Sequence, residues 1–250
     1  MTAKARVPAA AGLAAAMAIV VWLAAGLRAT APAAPPVVPE AGVGAISEQA
    51  PSLRSDVLRL ALNATVCAAR QGFVRQPTLL TVIDYSLPST EPRLWVIDLA
   101  SLRVMFSEVV AHGRNSGENL TTRFSNRLGS LQTSLGLFVT EDTYVGRNGY
   151  SLRLTGLEDG VNHRARERAI VMHGAPYVNP QLAKQLGRLG RSWGCPAVRE
   201  SVARTLIDTI KGGSAVFAYY PDQAWLATSK FLGACGARAS AAAGLPAPLL

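Results

Sequence analysis

Gly190-Arg191-Ser192-Trp193-Gly194-Cys195-Pro196 places one cysteine between a small-residue turn and a proline. Small residues before the sulfur let backbone N–H groups approach a reacting carbonyl. Proline is a frequent first residue of helices, and a helix beginning there aims its positive end at the thiol. Both effects favour a thiolate nucleophile with an oxyanion site beside it. Twenty-two residues upstream, after the apolar run Ala169-Ile170-Val171-Met172, stands His173-Gly174 at an expected strand end. A Cys/His pair is the minimal equipment for acyl transfer, with His173 as general base. The competing readings are a buried inert thiol and a core histidine satisfied by one backbone contact. A second pair, His112-Gly113, follows Val109-Val110-Ala111 and competes for the role of base. His173 is preferred because only it stands close to the cysteine segment. His163, in Asn162-His163-Arg164, sits among charges and reads as solvent-facing.

Outward from this pair the chain reads as short strands. Leu79 to Tyr85, Arg93 to Asp98 and Val104 to Ala111 are apolar runs separated by turn residues. Further strands are expected at Leu135 to Thr140, Leu152 to Thr155, Ala169 to Met172 and Ala215 to Tyr220. Helical periodicity follows Ser52, a plausible N-cap, through Val57, Leu60 and Val66 to Gly72. It returns from Val198 to Lys211 and is stopped by Gly212-Gly213. Many strands with few helices predict a mainly β fold, a sandwich or barrel with a few flanking helices.

Residues 1–36 read as a targeting segment. Lys4 and Arg6 open it, and Ala9 to Leu27 is an uncharged apolar run of 19 residues. That length serves either a cleaved signal peptide or an uncleaved anchor in the inner membrane, formed by residues 9–27. Both place the remainder in the periplasm or cell envelope. Residues 37–51 are Pro/Ala-rich and read as a flexible linker, 52–235 as the catalytic domain, and 236–250 as a disordered tail. In an oxidising compartment Cys67 and Cys235 either pair, leaving Cys195 free, or remain two buried thiols. The formal charge of +9 falls to +6 without Lys4, Arg6 and Arg28, since no acid precedes Glu40. The remaining arginines are scattered, with no aromatic interleaving, which argues against nucleic-acid binding. No CxxC or HxxxH pair prepares a metal site, and no glycine-rich phosphate loop appears, so neither metal nor cofactor is expected.

Ile170-Val171-Met172-His173-Gly174 together with Gly190-Arg191-Ser192-Trp193-Gly194-Cys195-Pro196-Ala197 resembles the murein L,D-transpeptidase catalytic-domain (YkuD-like) family, second branch. Ser134-Leu135-Gly136-Leu137-Phe138, Gly149-Tyr150-Ser151-Leu152-Arg153-Leu154, Asn162 and Ala165-Arg166-Glu167-Arg168 extend the resemblance over roughly residues 77–221. It implies a mostly β L,D-transpeptidase fold whose partners are peptidoglycan stem peptides. Cys195 would attack the carbonyl between a diamino acid and the terminal D-alanine. His173 would be its base, oriented by the Gly174 carbonyl. Backbone N–H groups of Trp193, Gly194 and Cys195 would hold the oxyanion, and Ser192 would shape the turn. The thioester then passes to an amine, forming a 3→3 cross-link, or to water, as an L,D-carboxypeptidase or amidase-type hydrolase. A non-catalytic wall-binding protein of the same fold is the other reading. A thiol redox role is disfavoured by the lack of a second cysteine near Cys195 in sequence. The family's cysteine is usually followed by an apolar residue and then Arg or Asn. Pro196 and Ala197 stand there in this chain, leaving Arg188, Arg191 and Arg199 as candidates to bind a stem carboxylate.

Overall fold

Three stretches of this chain are apolar on both sides of the strand, and they form the middle of the sheet. In the computed structural model, which describes residues 1–2, 38–233 and 235, strands β1 (Leu79–Asp84), β2 (Leu94–Asp98) and β8 (Ala215–Tyr219) are buried almost throughout. A strand covered on both faces reads as a continuous apolar run, as these do. The edge strand β3 (Arg103–Glu108) instead alternates exposed and half-buried residues. The sheet has eight strands in the order β3-β2-β1-β8-β4-β5-β6-β7, where β4 is Gly136–Gly146, β5 Gly149–Gly156, β6 Val171–Gly174 and β7 Ala197–Val198. Pairing is antiparallel except between β1 and β8 and between β6 and β7.

The chain is mainly β. Just beyond β3 it crosses to the far edge, where Ala111 bridges Ala197 and Gly113 bridges Ser192, so the sheet approaches a barrel. Among the described residues five helices flank it: α1 (Glu40–Gln49), α2 (Ser55–Arg70), α3 (Pro180–Leu186), α4 (Glu200–Ile210) and α5 (Gln223–Thr228). Helix α2 buries Val57, Leu58, Ala61 and Leu62 against the core. Each such Val or Leu contributes about 1.5–3 kcal/mol when fully buried.

Several expectations are corrected. Residues 40–49, assigned above to a flexible linker, are helix α1, whose Val43 and Ile46 are buried. Its last residue acts like a strand: Gln49 Nε2 donates to the Leu102 carbonyl at 2.8 Å, and Val104 N–H donates to Gln49 Oε1 at 3.0 Å. The hairpin β4–β5 is longer than the apolar runs predicted. Beyond an irregularity between Thr140 and Thr143, backbone pairing continues to Gly146↔Gly149 while the side chains turn polar. Pro196 opens no helix. Residues 197–198 are held extended by β6 on one side and by the Ala111 N–H to Ala197 carbonyl bond (2.8 Å) on the other, so α4 begins at Glu200.

Cys67, on α2, and Cys235 are joined by a disulfide with Cα atoms 5.7 Å apart, and Cys195 is free. The targeting segment beyond residues 1–2, the anchor run 9–27 and the tail 236–250 lie outside the described residues. Among the described residues no helix is long and apolar enough to cross a membrane.

Candidate active site

The parallel pairing of β6 with β7 sets His173 opposite Ala197 and Gly174 opposite Val198. Carried back two residues, the same register brings Cys195 level with Val171. The contacts agree: Val171 N–H lies 3.5 Å from Cys195 Sγ, and the thiol points at the Ala169 carbonyl at 3.6 Å. His173 therefore stands two residues, roughly 6–7 Å of strand, from the level of the sulfur. No hydrogen bond joins Cys195 Sγ to His173 among the described residues. Catalytic hydrogen bonds are commonly long in an unliganded site and close when substrate binds.

The cysteine loop is fixed by its own residues. Ser192 Oγ donates to the Cys195 carbonyl at 2.6 Å and accepts from Gly194 N–H at 3.1 Å. That second bond consumes the Gly194 donor and removes it from the expected oxyanion set. The Trp193 N–H has no acceptor among the described residues and the Cys195 N–H faces only its own sulfur, which leaves these two as the donors available to an oxyanion. Gly194 must be glycine. Its φ is +126°, and a Cβ there would meet the Gln132 carbonyl oxygen at 2.8 Å. Trp193 is 62 % exposed, with Arg147 Cζ 5.4 Å over its ring.

Burial sets the protonation states. Cys195 is held above the usual thiol range by desolvation, partly offset by the Val171 N–H and by the nearby Arg168 charge. The resting site thus holds a neutral thiol, contrary to the expected thiolate, because the helix meant to lower its pKa starts beyond β7. His173 is pushed below the ordinary histidine range by burial, against a smaller upward pull from the Gly174 carbonyl. At neutral pH its ring is neutral. Its Nδ1 lies 2.9 Å from the Gly174 carbonyl oxygen, so that nitrogen carries the proton and Nε2 keeps its lone pair.

His112 is wired otherwise. Arg93 Nη2 donates to its Nδ1 at 2.8 Å, and its Nε2–H donates to the Gly117 carbonyl at 3.3 Å. Burial and the Arg93 charge lower its pKa to about 4. Arg93 is fully buried and also donates to the Val110 and Leu87 carbonyls and to Thr121 Oγ1. This network stiffens the segment that straps the cysteine loop. In that strap Ser192 N–H donates to the His112 carbonyl at 2.9 Å, and Arg114 N–H donates to the Ser192 carbonyl at 2.8 Å. His163 is exposed, its Nδ1 accepting from Gly160 N–H at 2.9 Å.

The three arginine candidates are all in ion pairs. Arg188 and Arg191 both reach Glu118, at 2.9 and 2.7 Å, and Arg199 grips Glu108 with two nitrogens at 2.8 and 2.5 Å. Sequence reasoning quoted Arg168 within a segment of the resemblance and gave it no role. Its Nη1 and Nη2 donate to the Ser125 and Gln132 carbonyls and to the hydroxyls of Ser134 and Ser130, with no carboxylate partner among the described residues. Nothing in Arg164-x-Arg166-x-Arg168 singles it out, since Arg166 pairs with Glu141 at the surface while Arg168 turns inward. Between β6 and the cysteine loop, the long connection is taken up by α3 and closed by Gly190 N–H donating to the Tyr177 carbonyl at 3.0 Å. Among the described residues no three His, Cys, Asp or Glu side chains assemble into a metal site.

A family model described as the L,D-transpeptidase catalytic domain, of the second YkuD-like branch, matches residues 49–219. The chain belongs to this L,D-transpeptidase family. The match runs from the end of α1 to the end of β8 and includes both His-Gly pairs and Cys195. No curated protein matches the sequence. Among solved structures, an L,D-transpeptidase from Mycobacterium smegmatis is 14 % identical, with a TM-score of 0.36 over 57 % of this chain and 59 % of that one. L,D-transpeptidase 3 from Mycobacterium tuberculosis, in complex with a faropenem-derived adduct, is 16 % identical, with a TM-score of 0.35 over 57 % and 60 %. An L,D-transpeptidase from Xylanimonas cellulosilytica is 16 % identical, with a TM-score of 0.33 over 56 % and 60 %. The chain thus spans about three-fifths of these structures, and the family assignment rests on the sequence model.

Proposed function

We propose that this L,D-transpeptidase-family protein is a cell-envelope acyltransferase that uses Cys195 to form 3→3 cross-links between peptidoglycan stem peptides. The observation that carries the reading is the state of His173: neutral, with Nδ1–H held by the Gly174 carbonyl and Nε2 left as a base, on a strand paired to the one leaving Cys195. In the proposed cycle Nε2 takes the Sγ proton as sulfur attacks the carbonyl before the terminal D-residue. The N–H groups of Cys195 and Trp193 receive the negative oxygen. Collapse of the adduct breaks the C–N bond, and the imidazolium returns its proton to the departing amine. An acceptor amine then attacks the thioester, loses a proton to His173, and the thiol is restored. Because the resting thiol is neutral, proton transfer accompanies attack and no standing thiolate is required.

The test is mass spectrometry of muropeptides after incubation with the protein and with its Cys195→Ala form. Cysteine-dependent dimers joined 3→3 support the proposal. Cysteine-dependent loss of D-alanine without dimers assigns the site to hydrolysis, and identical samples with folded protein move it to wall binding.

A further inference from the structure

Recognition of a substrate carboxylate needs a cation that is not already neutralised, and Arg188, Arg191 and Arg199 are each committed to a glutamate. Arg168 is saturated by four oxygen acceptors beneath the cysteine loop. Arg147 differs from all four. It sits in the two-residue turn of the β4–β5 hairpin, exposed, and among the described residues its guanidinium has neither hydrogen-bond nor ion-pair partner. Its contact is the ring of Trp193, which is itself 62 % exposed and lies two residues before Cys195.

Resting on the acyl-transfer reading above, we propose that Arg147 and Trp193 form a subsite for the C-terminal carboxylate of the peptide that Cys195 attacks. A guanidinium lying on an indole face is held in its plane, while the N–H groups along its edge stay free. That edge matches a carboxylate through two parallel N–H···O bonds. Trp193 stands two residues, at most about 7 Å of backbone, from Cys195, and the terminal carboxylate lies one residue, at most about 3.6 Å, past the carbonyl that Cys195 attacks. The indole's other face offers apolar cover to the terminal side chain. An indole left in water beside a nucleophile gains by covering that face when substrate arrives.

The measurement is calorimetric titration of the full chain carrying Cys195→Ser with three peptides: a stem tetrapeptide, its C-terminal carboxamide, and a version amidated on its side-chain carboxylates alone. The expected result is about tenfold tighter binding of the free C-terminal carboxylate over its carboxamide, as one charge-assisted contact provides. Amidation of the side-chain carboxylates should leave affinity unchanged. Arg147→Gln should erase the preference and Trp193→Leu should reduce it. A preference that survives Arg147→Gln, a sensitivity to side-chain amidation alone, or no binding by any peptide overturns the subsite. Turnover of the same tetrapeptide by the unsubstituted protein is read separately. Arg147-dependent binding without cysteine-dependent turnover removes the reaction and keeps the subsite.

Discussion

His112-Gly113 and His173-Gly174 are the same dipeptide, each closing an apolar run and each buried, yet only one retains a basic nitrogen. His112 spends Nδ1 on Arg93 and Nε2 on the Gly117 carbonyl. His173 spends Nδ1 alone, on the carbonyl of the very next residue. Burial lowers both pKa values, so burial does not separate a base from a strut. The destination of the second nitrogen does. In the proposed chemistry a ring with both nitrogens occupied can hold a strap in place and cannot exchange a proton with a thiol.

The sharpest way to break this contrast is His173→Ala, for which muropeptide turnover should fall about 10²–10⁴-fold with little change in melting temperature. A comparable fall for His112→Ala in a fully folded sample would erase the distinction. A second effect is on stability. Between about pH 6.5, where an unfolded histidine titrates, and about pH 4, where folded His112 does, the unfolded chain holds a proton that the folded one refuses. Stability should therefore fall as pH drops through that window, by about 3 kcal/mol in total from His112. His173 acts in the same direction. Urea titrations at several pH values should show this slope, and His112→Gln should flatten most of it.

His112→Ala at neutral pH should cost about 2 kcal/mol, because an Arg93 donor loses its acceptor inside the core. The denaturation midpoint reads this directly, and an unshifted midpoint would mean that the network is not holding the strap. The smallest effect expected is at Arg168. Arg168→Met removes the cation nearest the thiol, so the Cys195 pKa should climb further and alkylation at pH 8.5 should slow about threefold. A faster rate would show that Arg168 acts by shielding the sulfur.

Much of this was legible in the sequence for a simple reason. The strands β1, β2 and β8 are buried on both sides, and their composition announces it. Cys195 and His173 stood out as candidates because their neighbours are small residues and apolar runs with few other uses. The preference for His173 rested on nearness in sequence, and the hydrogen bonds of each ring support the proposed role on different grounds. Helix α1 was unreadable because Ala and Gly dilute its pattern, prolines flank it, and only three of its ten residues are buried. The ion pairs that occupy Arg188, Arg191 and Arg199 draw on Glu118 and Glu108, 70 to 91 residues away in sequence, where no spacing rule reaches. Arg147 carried no sequence signal at all, since what sets it apart is a partner it lacks.

Gln49 has one further consequence. A flanking strand left bare offers its backbone groups to any other extended chain, which is the usual start of intermolecular sheet growth. By bonding to Leu102, just before β3, and to Val104 on it, the Gln49 amide occupies two of those backbone groups as a short false strand would. A protein trimmed at residue 51, the boundary that composition alone recommends, would lose this guard together with α1. Its failure would then be self-association in concentrated solution, and the cysteine chemistry would look defective for a reason unconnected with it.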